Sequence, residues 1–149
     1  NWMERENAGI ATNSINYGNY VDGAISGTGL NAIWKYDYST NTYTLIPKNY
    51  SNGSYTIDAR TATGEVEWLE IGTGTSEKTK VKNIYDMAGN MWEWTTETGE
   101  HNNSGTKYAV FRGGSFRNGG SSTPLSHRHG DGRVTYTYSS IGFRVVLYL

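Results

Sequence analysis

The sequence has no cysteine, only two prolines in 149 residues, and no long apolar run. Without cysteine there can be no stabilising disulfide, no thiolate nucleophile and no cysteine ligand for a metal. No segment approaches the roughly 18 consecutive apolar residues that span a bilayer, so we expect no membrane insertion. The net charge of −1 offers no basic field to hold phosphates, so we expect no nucleic-acid partner.

Glycine and aromatic residues are abundant instead, with 19 Gly, 12 Tyr and 5 Trp. This composition favours short strands and ordered loops over a helical bundle, and the aromatic side chains supply a core. The length suits one domain, which we predict over 1–149. Because the chain starts abruptly at Asn1, we expect it to be the C-terminal part of a longer protein.

Local patterns in the first half predict a few elements. A short helix is expected around Trp2–Ala8. Ala32–Tyr36 and Tyr43–Ile46 flank a polar segment and predict a β-hairpin. Asp37–Asn41 carries ligand types that calcium uses, but we interpret it as a turn. Apolar and polar residues alternate over Glu65–Ile71, which predicts a strand with one solvated face.

Three motifs follow one another in the second half: NIYDMAGNMWEW at Asn83–Trp94, FRGGSF at Phe111–Phe116, and IGFR at Ile141–Arg144. Together they resemble the formylglycine-generating-enzyme (sulfatase-modifying factor) superfamily over Asn83–Leu149. Residues 1–82 carry no motif of comparable strength. The resemblance implies an α+β, C-type-lectin-like fold, with a small antiparallel sheet, one or two helices and much ordered loop.

We interpret the residues of these motifs as mainly structural. Asn90, between Gly89 and Met91, suits a tight turn with positive φ. Trp92 and Trp94 fall on one face of an extended chain and would anchor the core. The pair Gly113–Gly114 permits a close backbone approach or a bulge.

Charged and apolar residues near these motifs predict two further features. Glu93 points away from the two tryptophans and is expected to pair with Arg112 or Arg144. The apolar run Val145–Leu149 predicts a buried closing strand.

The resemblance implies an enzyme for only some members of the superfamily. Formylglycine-generating enzymes use a cysteine pair, which this chain lacks. The related sulfoxide synthases use iron held by a histidine-rich motif that His101, His127 and His129 do not match. We therefore expect a protein that is not an enzyme and has no cofactor. The alternative is a formylglycine-generating-enzyme-like oxidase or a catalytically inactive relative.

A second resemblance concerns the arrangement of the C-terminal end. Arg112–Phe116, then a polar stretch, then Ile141–Leu149 is similar to variable proteins of diversity-generating retroelements. In those systems a reverse transcriptase miscopies adenines, and the copy replaces the end of the target gene. The resemblance implies a diversified ligand-binding surface on a phage tail or bacterial cell surface. Its partner would be a protein or glycan receptor on a target cell, and such display is compatible with a homo-oligomer.

The composition of Arg117–Ser140 fits this mechanism. Asparagine codons of the AAY type, scrambled at both adenines, never yield Lys, Glu, Gln, Met or Trp. The segment contains none of these, although all but Gln occur before it, and Gln is absent from the whole chain. We therefore predict that 117–140 is the variable segment. A polar surface loop without a partner, in a purely structural protein, is the simpler alternative.

Within the variable segment we assign framework and ligand-facing positions. Pro124, Ser126 and Arg128 are expected to be framework. His127, His129 and Asp131 would share one face of a strand, as metal ligands do, but a fourth ligand is not evident and we predict no metal site. Tyrosine offers large contact area at low entropic cost, while serine and glycine adapt. The predicted ligand-facing positions are Arg117, Ser121, Ser122, Thr123, His127, His129, Gly130, Asp131, Gly132, Arg133, Tyr136, Tyr138 and Ser139.

Overall fold

The computed structural model describes residues 9–28, 33–46, 54–57, 68–74, 76–81, 83–100, 106–132 and 137–144. Regular structure in these residues consists of short strands and one 3₁₀ helix, Glu77–Thr79. The strands are β1 Gly18–Asn19, β2 Ile25–Thr28, β3 Ile33–Asp37, β4 Thr42–Ile46, β5 Ser54–Ile57, β6 Trp68–Ile71, β7 Lys80–Val81, β8 Ile84–Tyr85, β9 Ala88–Gly89, β10 Trp92–Glu100, β11 Lys107–Arg112, β12 Arg128–Gly132 and β13 Ile141–Gly142.

The predicted α+β, C-type-lectin-like fold with one or two helices is wrong. The described residues contain no α-helix, and nearly all of their regular structure is β. The physical reason lies in the composition, since Thr, Tyr and Trp favour strands while Gly and Asn favour turns. The predicted helix Trp2–Ala8 lies outside the described residues. No helix in the described part of the chain is long and apolar enough to cross a membrane.

A four-stranded sheet in the order β12-β11-β10-β13 carries the motifs of the second half. β11 is antiparallel to both β10 and β12, whereas β13 joins β10 in parallel. Trp94 lies opposite Phe111, and the β10–β11 register shifts between Trp94 and Thr98. The predicted closing strand Val145–Leu149 lies outside the described residues.

The predicted hairpin is confirmed in a three-stranded sheet ordered β4-β3-β6. Its turn is closed by the Asp37 carboxylate, which accepts hydrogen bonds from the Ser39 amide at 2.8 Å and the Ser39 hydroxyl at 2.7 Å. The interpretation of Asp37–Asn41 as a turn is therefore confirmed. Of the predicted strand Glu65–Ile71, the described part Trp68–Ile71 forms β6. Three two-stranded pairings, β1-β9, β2-β5 and β7-β8, complete the topology.

Aromatic and aliphatic side chains from distant parts of the chain form the core. Tyr20 is fully buried, and its hydroxyl donates to the Gly113 carbonyl at 2.6 Å. Burial raises the pKa of the Tyr20 phenol well above its ordinary value, which keeps the hydroxyl protonated as a donor. The buried cluster around it consists of Ile10, Tyr20, Val81, Ala88 and Leu125, with Tyr17 and Met87 packed against it.

Asn90 occupies a left-handed turn with φ 59°, as predicted. Its buried Oδ1 accepts from the Ile71 amide and from Asn19 Nδ2, both at 3.0 Å. Its Nδ2 donates to the Ile71 carbonyl at 2.8 Å, and Asn19 Nδ2 also donates to the Leu69 carbonyl at 2.6 Å. The two amides thereby satisfy the polar groups that burial would otherwise leave unpaired, and they join β1, β6 and the β9–β10 turn.

The predicted close approach at Gly113–Gly114 is confirmed. Both residues have positive φ, at 94° and 72°. A Cβ on Gly114 would lie 2.6 Å from the Thr123 carbonyl oxygen. Only glycine combines this backbone conformation with so short a separation.

Trp92 and Trp94 lie on one face of β10, as predicted. Both pack edge-on against the Phe111 ring, with centroid distances of 5.3 and 5.2 Å. Trp92 is buried and Trp94 is half-buried. The two tryptophans therefore anchor β10 on β11 through one shared partner ring.

Of the two predicted partners of Glu93, Arg144 forms the ion pair, while Arg112 pairs elsewhere. Arg144 forms an ion pair with Glu93 and donates to the carbonyls of Tyr85 at 2.8 Å and Asp86 at 2.9 Å. Arg144 thus joins the chain after β13 to the β8–β9 connection.

Arg112 instead contacts Glu97 at 2.8 Å, and Glu97 also pairs with Arg128 at 2.5 Å. The two guanidinium groups hold the pKa of the Glu97 carboxyl below its usual range, with Arg128 contributing most.

We predict that Asn90→Ala destabilises the domain far more than Asn83→Ala. Asn83 is a matched control because it also has positive φ, 64°, but an exposed side chain. Loss of the Asn90 amide leaves several buried groups unpaired, at about 1–3 kcal/mol each, so we expect a loss of about 3 kcal/mol or more. The control should lose only the left-handed backbone preference, about 1 kcal/mol. Urea unfolding measures both, and equal losses would contradict the proposed role of the buried amide.

Candidate functional site

Two cavities on the described surface share a lining residue, and the larger of the two measures about 570 Å³. This volume falls within the range of roughly 300–1,000 Å³ that is usual for small-molecule sites. The cavity lies between the β3–β4 turn and the two ends of the predicted variable segment. Its lining consists of Tyr36, Tyr38, Asn41, Arg117, Thr137, Tyr138 and Ser139.

Arg117 is held by aromatic rings at this cavity. Its guanidinium carbon lies 4.6 Å from the ring centroid of Trp68, 5.1 Å from Tyr38 and 5.5 Å from Tyr36. All three distances are within the roughly 6 Å over which cation–π attraction acts. In the described part of the chain no carboxylate forms an ion pair with Arg117. The rings therefore orient a cation whose charge is not neutralised by these residues.

A smaller cavity of about 200 Å³ adjoins the first. Tyr138, half exposed, lines both cavities. The smaller one is lined by Trp92, Phe111, His129, Tyr138, Ser140 and Ile141. We call the residues that line these two cavities the cavity face. It contains four of the predicted ligand-facing residues: Arg117, His129, Tyr138 and Ser139.

The two histidines pack on the aromatic residues behind the smaller cavity. The His129 ring stacks on Phe111 at 4.8 Å, and the His127 ring lies 5.8 Å from Trp92. Burial, assisted by the nearby His129 and Arg112, lowers the pKa of the His127 imidazole. The centroids of the two histidine rings are 6.4 Å apart. Among the described residues no group of three His, Cys, Asp or Glu side chains is placed to hold a metal ion.

Gly130 on β12 lies beneath the ring of Tyr108. A Cβ at Gly130 would lie 1.9 Å from a ring carbon of Tyr108, and one at Gly99 would lie 2.3 Å from the same ring. Tyr108 therefore covers two glycines on the strands that flank it. Any side chain at position 130 has to displace this ring, which restricts what a variable position here can accept.

Three other predicted positions lie away from the cavity face, and others fall on β12 or outside the described residues. Ser121 and Ser122 are exposed on a turn. Thr123 is half-buried, and its hydroxyl donates to the Gly119 carbonyl at 2.9 Å. None of these three lines either cavity. Asp131 and Gly132 lie on β12, while Arg133 and Tyr136 fall outside the described residues.

The predicted framework positions make structural contacts. Pro124 is buried. The Ser126 hydroxyl donates to the Ala11 carbonyl, and Arg128 pairs with Glu97. Their assignment as framework agrees with these contacts.

Sequence reasoning missed the first-half residues of the cavity face. Tyr36, Tyr38 and Asn41 were interpreted only as parts of a hairpin and its turn. Tyr38 is 66% exposed, so it contributes little to a core. Two tyrosines beside a polar turn could have indicated a binding surface. No local feature of the sequence, however, indicates that this turn packs beside Arg117.

With this geometry established, comparison with known families identifies the scaffold. The sulfatase-modifying factor enzyme 1-like domain matches residues 34–149. The chain belongs to this family. The family domain begins in β3, well before Asn83, so it includes the β3–β4 turn that lines the larger cavity. No curated protein and no solved structure matches the chain.

We predict that Gly130→Ala destabilises this family domain, whereas Gly142→Ala does not. Gly142, also on a strand, is the matched control because, among the described residues beyond its two chain neighbours, no atom lies within 4 Å of a Cβ built there. Displacing Tyr108 is an overpacking change, which costs about 1–3 kcal/mol, and the control should stay within about 0.5 kcal/mol. Thermal unfolding tests this, and a Gly130→Ala protein as stable as the parent would remove the restriction at position 130.

We also predict that His127 contributes to acid sensitivity. Because its pKa is lower in the folded state than the usual 6.5, the unfolded chain takes up the proton first as the pH falls. Stability is therefore lost as the pH drops below this value. His127→Gln should show a smaller fall in unfolding free energy than the parent between about pH 7 and pH 5. Urea unfolding at the two pH values is the measurement, and an equal or larger fall in the variant would contradict it.

Proposed function

We propose that this domain binds a protein or glycan receptor on a target cell through the cavity face. We further propose that retroelement-directed mutagenesis diversifies the segment 117–140. One observation carries the proposal: Tyr138 lines both cavities and joins Arg117 and Ser139 to His129. Four of the thirteen positions predicted to face a ligand thus line these two cavities.

The chemistry of the cavity face supports a binding role. Tyrosine and arginine supply large contact areas, and a stacked arginine loses little freedom when a ligand arrives. Arg117 rests against Trp68 and Tyr38 before any ligand is present. Such preorganisation lowers the cost of association.

The scaffold around the segment supports diversification. Segment 117–140 begins shortly after the Gly113–Gly114 turn and ends directly before β13, close to the Arg144–Glu93 ion pair. The backbone carbonyl of Asn90 accepts a hydrogen bond from the Phe116 amide at 2.9 Å, which fixes the chain just before the segment begins. Both ends are therefore fixed by residues outside 117–140, so exposed positions within it can change without loss of the fold.

We propose no chemical step for this chain. Family membership is equally compatible with a formylglycine-generating-enzyme-like oxidase. The chain has no cysteine, however, so it lacks the residue pair that the resemblance assigns to that chemistry. Following the resemblance to variable proteins of diversity-generating retroelements, we propose display on a phage tail or on a bacterial cell surface.

Amplicon sequencing of the gene, in a population that carries it, tests the diversification. We expect substitutions to concentrate at adenine positions in codons 117–140, and most strongly at exposed or cavity-face positions such as Ser121, Ser122 and Tyr138. The segments 83–116 and 141–144 are internal controls and should remain unchanged. Substitutions spread evenly over all three segments would contradict the proposal.

Exchange of segments between two sibling proteins tests the binding role directly. Transfer of 117–140 should transfer target preference, measured by surface capture of target cells. Exchange of 9–28, which lines neither cavity, is the control and should leave the preference unchanged. If target preference follows 9–28 instead, the cavity face is not the binding surface.

A further inference from the structure

The larger cavity combines a polar lining with Arg117, a cation that forms no ion pair within the described part of the chain. Arg117 is charged at any physiological pH and carries five N–H donors. The guanidinium carbon lies over the rings of Trp68 and Tyr38, and in the described part of the chain its N–H donors form no ion pair. The N–H donors along the edges of the guanidinium are therefore suited to bind an anion. A planar carboxylate matches this edge through two parallel hydrogen bonds.

The other polar groups that line the larger cavity suit a ligand with hydroxyl groups rather than an apolar ligand. The Tyr36 hydroxyl donates to Asn41 Oδ1 at 2.5 Å, which leaves the tyrosine oxygen as an acceptor. The same bond orients the Asn41 amide so that its N–H groups remain as donors. Thr137 and Ser139 contribute further hydroxyls to the lining. The residues that line the cavity thus supply both donors and acceptors beside the cation.

Two exposed tyrosines flank this polar lining. Tyr38 is 66% and Tyr138 is 50% exposed. Their rings present apolar surface to a ligand in the cavity. An amphipathic ring-shaped ligand, with apolar C–H groups and polar hydroxyls, matches both features. An acidic protein side chain would use Arg117 but leave the Asn41 and Thr137 groups without a role.

We infer that the larger cavity binds a carboxylate-bearing sugar of the uronic acid type. Its carboxylate pairs with the edge of Arg117, and its hydroxyls bond to Asn41, Thr137 and Ser139. This inference rests on the proposed function, because it names the class of ligand for the same cavity face. It also assigns part of the recognition to Tyr36, Tyr38 and Asn41, which lie outside the segment 117–140.

Calorimetric titration of the purified chain with D-glucuronate tests the inference, with D-glucose and glutarate as comparison ligands. Glucose lacks the carboxylate, and glutarate carries carboxylates without the sugar ring. We expect glucuronate to bind at least about tenfold more tightly than either, because charge-assisted hydrogen bonds and ring hydroxyls act together. Arg117→Gln should weaken glucuronate binding about tenfold or more.

Arg128→Gln is the matched control, since Arg128 lies in the same segment but pairs with Glu97 and lines neither cavity. It should leave glucuronate affinity unchanged. If Arg117→Gln does not fold, Asn41→Asp serves instead. Aspartate also tolerates the left-handed backbone at this position, φ 53°, and its charge should repel glucuronate.

Three results would overturn the inference: no binding of glucuronate at millimolar concentration, equal binding of glutarate and glucuronate, or unchanged affinity in both cavity variants. Equal binding of glutarate would assign the cavity to an acidic protein side chain. If glucuronate does not bind but target preference still follows the exchanged segment 117–140, only the sugar inference fails. If the exchange also fails to transfer preference, the proposed function fails as well.

Discussion

The buried amide pair Asn19–Asn90 is the interaction on which the rest of the structure depends. Asn90 bonds through its side chain to both backbone groups of Ile71, while Asn19 reaches the Leu69 carbonyl. Each of these groups is buried, so each needs the partner that the pair supplies. β1 and β6 are thereby held against the turn from which β10 begins. Trp92 starts β10 and carries the aromatic packing behind the smaller cavity.

This constraint separates the domain into a rigid scaffold and a surface built upon it. Arg117 and Tyr138 lie near the two fixed ends of the segment 117–140, which is why residues distant within the segment line one cavity. The interior of the segment is not uniformly free. Gly130 is covered by Tyr108, and the Thr123 carbonyl closely approaches Gly114. Diversity at the surface is therefore restricted by packing at particular positions.

Features that depend on neighbouring residues could be predicted. The turn at Asn90, the shared face of Trp92 and Trp94, and the hairpin before β6 all follow from local preferences. The fold with one or two helices was a wrong prediction. The family resemblance implied these helices, and no local helical periodicity in the second half supported them. Local sequence does not decide which of two arginines pairs with Glu93. The strand register places Arg112 opposite Glu93, but the Arg112 side chain reaches Glu97 and Arg144 pairs with Glu93.

The sequence by itself determined the turns, the strand faces and the polar composition of 117–140, since these depend on a few residues at a time. Only the tertiary structure decided that Arg117 meets Tyr36 and Trp68, and that Tyr138 lies between the two cavities. Contacts across so many residues depend on how separate sheets pack, which local propensity does not specify. The cavity face is therefore a property of the assembled fold, formed jointly by the β3–β4 turn and the segment 117–140.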